Sequence, residues 1–168
     1  HIELAREMND ANRRAALSTW NRIRETEKQK FKEAIESTLR EQGVQRDAAD
    51  DEILKYQLWE EQKHICLYTG RPIGLSEFIG DNPKYDIEHT VPRSLSCDNS
   101  QANKTLCDQH YNRNIKKNKI PFDCLNHAEI LARLADWNKR IDNLNNQVEQ
   151  KRKASRRATT KEQKDKAI

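Results

Sequence analysis

Apolar residues recur at helical spacing along the first quarter of the chain. The positions that carry this pattern are Leu17, Trp20, Phe31, Ile35 and Leu39. Residues three or four apart lie on one face of a helix, so the pattern predicts one long amphipathic helix from about Met8 to Gln42. Gly43 follows directly, and glycine often ends a helix because it adopts the left-handed conformation without strain.

A second helix is predicted from Asp47 to about Gln62. Its inward-facing apolar residues are expected to be Ile53, Leu54 and Leu58. The start of this segment is acidic, with Asp47, Asp50, Asp51 and Glu52. Carboxylates there stabilise a helix because its N-terminal end carries partial positive charge.

The pattern changes from helical to alternating in the middle of the chain. A short apolar stretch, Ile65 to Tyr68, is followed by TGRP, which is typical of a turn. The segment from Tyr85 to Val91 alternates as a strand does, with Tyr85, Ile87 and His89 on one face and Asp86, Glu88 and Thr90 on the other. Pro92 ends it. A second strand is predicted at about Lys104 to Cys107, and a short helix from about Asp108 to Lys116.

From Asn126 the helical pattern returns. One apolar stripe is formed by Leu131, Leu134, Trp137 or Asn138, Ile141, Leu144 and Val148. Beyond Lys151 the stripe fades into KRKASRRATTKEQKDK, which is basic and poor in apolar residues. We expect a frayed helix or a linker there.

Composition narrows the class of protein. Hydrophobic and charged residues each make up 35% of the 168 residues, so the core is modest and the surface heavily charged. No apolar run approaches the ~20 residues that a membrane span needs. The four cysteines form no close pairs, which favours free thiols in a reducing cytoplasm over a zinc site. The chain begins at His1 without an initiator methionine, and we interpret it as a monomeric fragment of a longer protein.

The segment YDIEHTVPRS combines residues suited to phosphodiester cleavage. That reaction needs a base to take a proton from water and a cation to neutralise charge on the phosphate. Histidine is the side chain most often used as a general base, so His89 suits that role. Glu88 supplies the hard oxygen that magnesium prefers. Neighbours on a regular strand point to opposite faces, so both can reach one phosphate only if the strand bends or ends there.

Two asparagines complete the set of candidates. Asn103 stands where the loop re-enters the second strand, and its amide can donate and accept hydrogen bonds to fix the loop that carries His89. It could also be an ordinary turn residue. Asn112 lies on the short helix and offers a neutral carbonyl oxygen, although an ordinary surface asparagine there is the alternative. One acid and one amide, completed by water, make a normal magnesium site.

This order of residues resembles the HNH signature of the ββα-metal nucleases. The segments KHICLYTGRPI, YDIEHTVPRSLSCDNSQANKTL and NRNIKKNKIPF are similar to the HNH domain of the type II CRISPR RNA-guided DNA endonucleases. The opening HIELARE resembles the second RuvC-like motif of those enzymes. The resemblance is strong from about Lys63 to Phe122 and includes the first seven residues.

The resemblance implies a role for each candidate. His89 is expected to be the general base, Glu88 and Asn112 the ligands of a single Mg²⁺ for which Mn²⁺ could substitute, and Asn103 the residue that orients the loop. Glu3 matches a RuvC-like metal ligand, but the rest of that site is absent, so we expect it to be catalytically idle here. Glu88 replaces the more usual Asp, which leaves its coordination open.

Other charged residues surround these candidates. Asp86 and Asp108 are expected either to support the metal site through its ligands or to be solvated. Five cations flank the site and are expected to contact a nucleic-acid backbone: Arg93, Arg113, Lys116, Lys117 and Lys119.

The predicted fold class is α+β and mostly helical, with a small ββα-metal core flanked by long helices. The predicted divisions are a RuvC-like remnant at 1–7, helices at 8–62, the HNH core at 63–126, and a helix with a basic linker at 127–168. The resemblance implies cleavage of the DNA strand paired with guide RNA, with that heteroduplex and a RuvC-like domain as partners. Alternatives are a stand-alone homing or restriction nuclease, and a non-catalytic helical nucleic-acid-binding module.

Overall fold

A computed structural model describes the backbone of residues 11–165 and the side chains of residues 14–154 and 156. In chain order its main elements are helix α1 (Ala11–Glu41), helix α2 (Asp50–Glu61), strand β1 (Tyr85–His89), strand β2 (Lys104–Asp108), a π-helical turn (Tyr111–Lys116) and helix α3 (His127–Asp165). The mostly helical α+β class is therefore confirmed. None of the helices in this part of the chain is both long and apolar enough to cross a membrane.

Helix α1 ends where the sequence predicts. Gly43 has φ +79°, and the next residue, Val44, donates its backbone N–H to Leu39 O at 2.9 Å, while Gly43 N bonds Arg40 O at 3.0 Å. These two bonds are a Schellman motif, which satisfies the last carbonyls of the helix. Only the second half of α1 enters the core: Leu39 is fully buried, whereas Trp20 is 58% exposed.

Helix α2 begins at Asp50, three residues later than predicted, because Glu52 determines its start. The Glu52 carboxylate accepts the backbone N–H of Ala49 at 2.9 Å and that of Gly80 at 2.9 Å. Arg46 holds the same carboxylate with two bonds, at 2.7 and 2.8 Å. Burial opposes ionisation of Glu52, but Arg46 and the two backbone donors outweigh it and lower the pKa to about 2.

The two predicted strands form one antiparallel hairpin. In its register Glu88 lies opposite Thr105, and His89 opposite Lys104. The outer edge of β2 is covered by a side chain: Gln62 donates to Leu106 O at 3.0 Å and accepts from Leu106 N at 2.6 Å. The buried Gln62 amide therefore replaces a third strand at this position, which leaves no exposed edge there.

The short helix after β2 is capped at its start and is wider than an α-helix at its end. Asp108 Oδ1 accepts the Tyr111 backbone N–H at 2.8 Å and so caps the helix. Lys117 N then bonds Asn112 O at 2.9 Å, an i to i+5 bond, and the positive φ of Lys117 (52°) ends the turn. Such π-helical turns are often found at functional sites.

Helix α3 is joined to the core by Arg133. Its guanidinium donates to Leu67 O at 3.0 Å and to Tyr68 O at 3.1 Å. Gly70, in the predicted TGRP turn, has φ +72°, and a Cβ there would lie 2.8 Å from that guanidinium, so only glycine fits. The helix continues to Asp165, and the predicted fraying beyond Lys151 is therefore wrong for the backbone.

The core lies between α1, α2, the hairpin and the first turn of α3. Its fully buried members include Ile35, Leu39, Leu58, Cys66, Phe78, Leu106 and Cys107. The apolar stripe of α3 is covered only at its start: Ile130 is buried, whereas Ile141 and Leu144 are each 51% exposed. All four cysteines are free thiols.

Candidate active site

The loop that follows β1 is held by the buried side chain of Asn103. Its Oδ1 accepts the Val91 N–H at 2.8 Å, and its Nδ2 donates to Val91 O at 3.0 Å and Asp98 O at 2.9 Å. The backbone of Asn103 also accepts the Thr90 N–H at 2.9 Å. Both ends of the loop therefore attach to one residue directly before β2.

His89 is the last residue of β1 and pairs with Lys104 of β2. It is half-buried, and its ring Nε2 lies 3.0 Å from Oδ1 of Asn99 in the loop. Its carbonyl oxygen accepts a hydrogen bond from Lys116 Nζ at 3.1 Å. The ring and the backbone of His89 are thus fixed by different elements.

Glu88 is buried, with 5% of its surface exposed. Its Oε1 lies 2.6 Å from Lys116 Nζ, and its Oε2 accepts a hydrogen bond from the Tyr68 hydroxyl at 3.1 Å. Burial raises the pKa of Glu88, and the bonds from Lys116 and Tyr68 oppose that shift. Burial likewise raises the pKa of Tyr68, so its hydroxyl stays protonated and able to donate.

Lys116 is wrongly predicted as a surface contact for nucleic acid. Its side chain is completely buried, and its ammonium bonds Glu88 and the His89 carbonyl. The π-helical turn lies across the face of β1 that carries Asp86 and Glu88, and this packing directs Lys116 inwards. Sequence could not show this, because a lysine in a basic run is usually exposed.

Asp86 and Asp108, the two other acids predicted near the site, each form hydrogen bonds within the domain. Asp86 receives two bonds from Arg113, at 2.8 and 3.1 Å, and Asp108 caps the π-helical turn. Arg113 itself is exposed at its side chain. The other predicted backbone-contacting cations, Arg93, Lys117 and Lys119, are all exposed.

Asn112 lies on the π-helical turn and is half-buried. Among the described residues its side chain makes no hydrogen bond to Glu88 or His89, so its role as a metal ligand stays a prediction. Glu3 falls outside the described residues.

Glu88 and Asn112 offer a carboxylate and an amide oxygen, and magnesium sites commonly use one or two such ligands with water. Among the side chains that the structure describes, no group of three or more His, Cys, Asp or Glu could hold a metal ion. A metal at Glu88 would share its carboxylate with Lys116 and Tyr68.

Sequence reasoning missed two residues of this site. Asn99 contacts the His89 ring and Tyr68 contacts Glu88, but each reaches the site from a segment whose path depends on the fold. The only signal for Asn99 was its place in the polar loop between His89 and Asn103.

Residues 66–122 match the family model described as HNH endonuclease. This match covers both strands, the loop and the π-helical turn, and so contains all residues of the candidate site. It lies within the predicted core of 63–126.

Several curated proteins are similar to this chain over the same region. The Cas9 endonuclease of Staphylococcus aureus is 34% identical over 90 residues, which are 54% of this chain and 8% of that protein. The Cas9 of Campylobacter jejuni is 36% identical over 87 residues, or 52% and 8%. Cas9 1 of Streptococcus thermophilus is 32% identical over 75 residues, or 45% and 7%. The chain thus spans less than a tenth of these relatives.

Solved structures show the same fold. Crystal structures of Streptococcus thermophilus Cas9 with an AGAA PAM and with a GGAA PAM have TM-scores of 0.60 and 0.61 at 24% identity. Each covers 80% of this chain and 14% of the other. Residues 66–122 are therefore similar to an HNH endonuclease domain, and the chain shares the fold of the matching part of these Cas9 structures.

Proposed function

We propose that this domain cleaves the DNA strand paired with a guide RNA, with His89 as the general base. The observation that carries the proposal is the environment of His89. Its ring lies at the end of a strand, bonded to the loop that Asn103 holds, and its backbone is fixed by Lys116 beside the buried Glu88. A base must be held in such a fixed position to take a proton from one particular water.

The reaction begins when His89 removes a proton from a water near the scissile phosphate. The resulting hydroxide attacks phosphorus in line and the bond to the 3′ oxygen breaks. That oxygen takes a proton from solvent water, which leaves a 3′-hydroxyl and a 5′-phosphate. A Mg²⁺ ion held by Glu88 and Asn112, or Mn²⁺ in its place, would supply positive charge for the phosphate and the leaving oxygen.

The exposed cations Arg93, Arg113, Lys117 and Lys119 support binding of a nucleic-acid backbone. Such contacts carry no sequence information, so we propose that the guide RNA reads the sequence and this domain senses the heteroduplex by shape and charge. The parent enzyme would then contain a RuvC-like domain for the other strand and act in a prokaryotic cytoplasm.

The test is strand-resolved cleavage by the guide-loaded parent enzyme. We expect His89→Ala to stop cutting of the guide-paired strand and to leave cutting of the other strand intact. His127→Ala is the matched control, because His127 is exposed and contacts only Phe122 among the described ring contacts. We expect cleavage in the presence of Mg²⁺ or Mn²⁺ and its loss when a chelator is added. Normal cutting of the guide-paired strand by His89→Ala would overturn the proposal.

A further inference from the structure

Asn99 contacts the ring of His89 with its side chain. Its Oδ1 lies 3.0 Å from His89 Nε2. A neutral imidazole has one N–H donor and one acceptor nitrogen, whereas an amide oxygen can only accept. A hydrogen bond at this contact needs the ring proton on Nε2, and in that tautomer the lone pair of Nδ1 is available to a water molecule.

The backbone around Asn99 is fixed on both sides. On one side, Asp98 O accepts a bond from the buried Asn103 amide at 2.9 Å. On the other, Ser100 N donates to Asp98 Oδ1 at 2.8 Å. Because both neighbours are held, the Asn99 side chain meets the His89 ring with little loss of conformational freedom.

We propose that Asn99 is the positioning residue of the general base: it accepts the Nε2–H of His89 and so fixes both the tautomer and the orientation of the ring. This rests on the proposed function of His89. Asn103 does not contact the ring but holds the loop that carries Asn99. Asn99 therefore orients the His89 ring, and Asn103 keeps Asn99 in place.

Three variants separate this role from a general loss of structure. Asn99→Leu has a similar volume but no acceptor, whereas Asn99→Asp keeps an oxygen that can only accept. Asn114→Leu is the matched control, because Asn114 is exposed on the π-helical turn. Asn99 is exposed too, so its substitution should leave thermal unfolding of the chain nearly unchanged.

The first readout is the ring N–H signal of His89 in ¹⁵N-histidine-labelled chain. We expect a slowly exchanging Nε2–H signal in the wild type, in Asn114→Leu and in Asn99→Asp, and its loss in Asn99→Leu. A His89 signal from Nδ1–H in the wild type, or an Nε2–H signal unchanged in Asn99→Leu, would overturn the proposal.

The second readout is single-turnover cleavage of the guide-paired strand by the parent enzyme. Asn99→Leu is expected to lower the rate constant by about ten- to a hundredfold without changing DNA affinity, since misplacement by about 1 Å can cost ~10²-fold. Asn99→Asp should recover part of that loss. An unchanged rate in Asn99→Leu, with His89→Ala inactive, would overturn the role of Asn99 alone. An active His89→Ala would overturn the proposed function itself.

Discussion

The ammonium of Lys116 lies 2.6 Å from Oε1 of Glu88, and both side chains are buried. The same ammonium bonds the carbonyl of His89, so one lysine connects the π-helical turn to two successive residues of β1. The Lys116 ammonium balances the charge of the buried Glu88 carboxylate, which also accepts a hydrogen bond from the Tyr68 hydroxyl.

Lys116→Met should destabilise the domain strongly. Removing one partner of a buried ion pair leaves an uncompensated charge and costs about 3–5 kcal/mol. Denaturant unfolding of the chain measures this, with Lys119→Met as the control, because Lys119 is exposed. In the double variant Lys116→Met/Glu88→Gln the loss should be clearly smaller than the sum of the single losses. Strict additivity would show that the two side chains do not interact.

Glu52 should make the stability of the domain depend on acidic pH. Its pKa is lowered from 4.5 to about 2, so its contribution is complete above the unfolded-state pKa and is lost as the pH falls through about 2. We expect roughly 2–3 kcal/mol, after allowance for the partial exposure of Arg46. Glu52→Gln should remove this contribution at pH 7 and flatten the acid limb of the stability profile. Glu25→Gln, at an exposed position on α1, should leave that limb unchanged.

Gln62 should be essential to β2 although it lies outside the sheet. Gln62→Leu has a similar volume but leaves the buried N–H and C=O of Leu106 without partners. Each unsatisfied group costs about 1–3 kcal/mol, so a loss of roughly 2–4 kcal/mol is expected in unfolding experiments. Gln29→Leu, on the exposed part of α1, should change stability by less than about 0.5 kcal/mol. A similar effect of the two substitutions would contradict the role of Gln62.

The order of elements could be predicted because it depends on local patterns. The alternation of apolar and polar residues in Tyr85–His89 and the helical spacing around Ile35 and Leu39 are properties of short segments. Gly43 by itself favours the left-handed conformation that ends α1. The end of α3 was predicted less well, because a basic, polar sequence does not itself reveal whether a helix continues through it.

Residues of the candidate site could be predicted only where they belong to a sequence motif. His89, Glu88 and the two asparagines stand in a recognisable order, whereas Lys116 and Asn99 depend on tertiary packing. A buried lysine is costly unless it is paired, and its partner is 28 residues away in the sequence. No periodicity links such distant positions.

Asn103 should control the loop through individual hydrogen bonds. In Asn103→Ala, hydrogen exchange of the Val91 amide should accelerate, since Oδ1 is the acceptor of that N–H. Asn103→Asp keeps this acceptor but loses the Nδ2 donor to Val91 O and Asp98 O, so Val91 should stay protected while cleavage falls. Equal protection of Val91 in wild type and Asn103→Ala would show that the loop is held by other contacts.

Chemical rescue tests whether the His89 imidazole takes the proton from the attacking water. The rate to measure is single-turnover cutting of the guide-paired strand by His89→Gly in the parent enzyme. We expect a loss of about 10²–10⁴-fold, because general bases contribute that much, and partial recovery that increases with the concentration of added imidazole. Cleavage by His89→Gly at the wild-type rate, without imidazole, would contradict the role of His89 as the base.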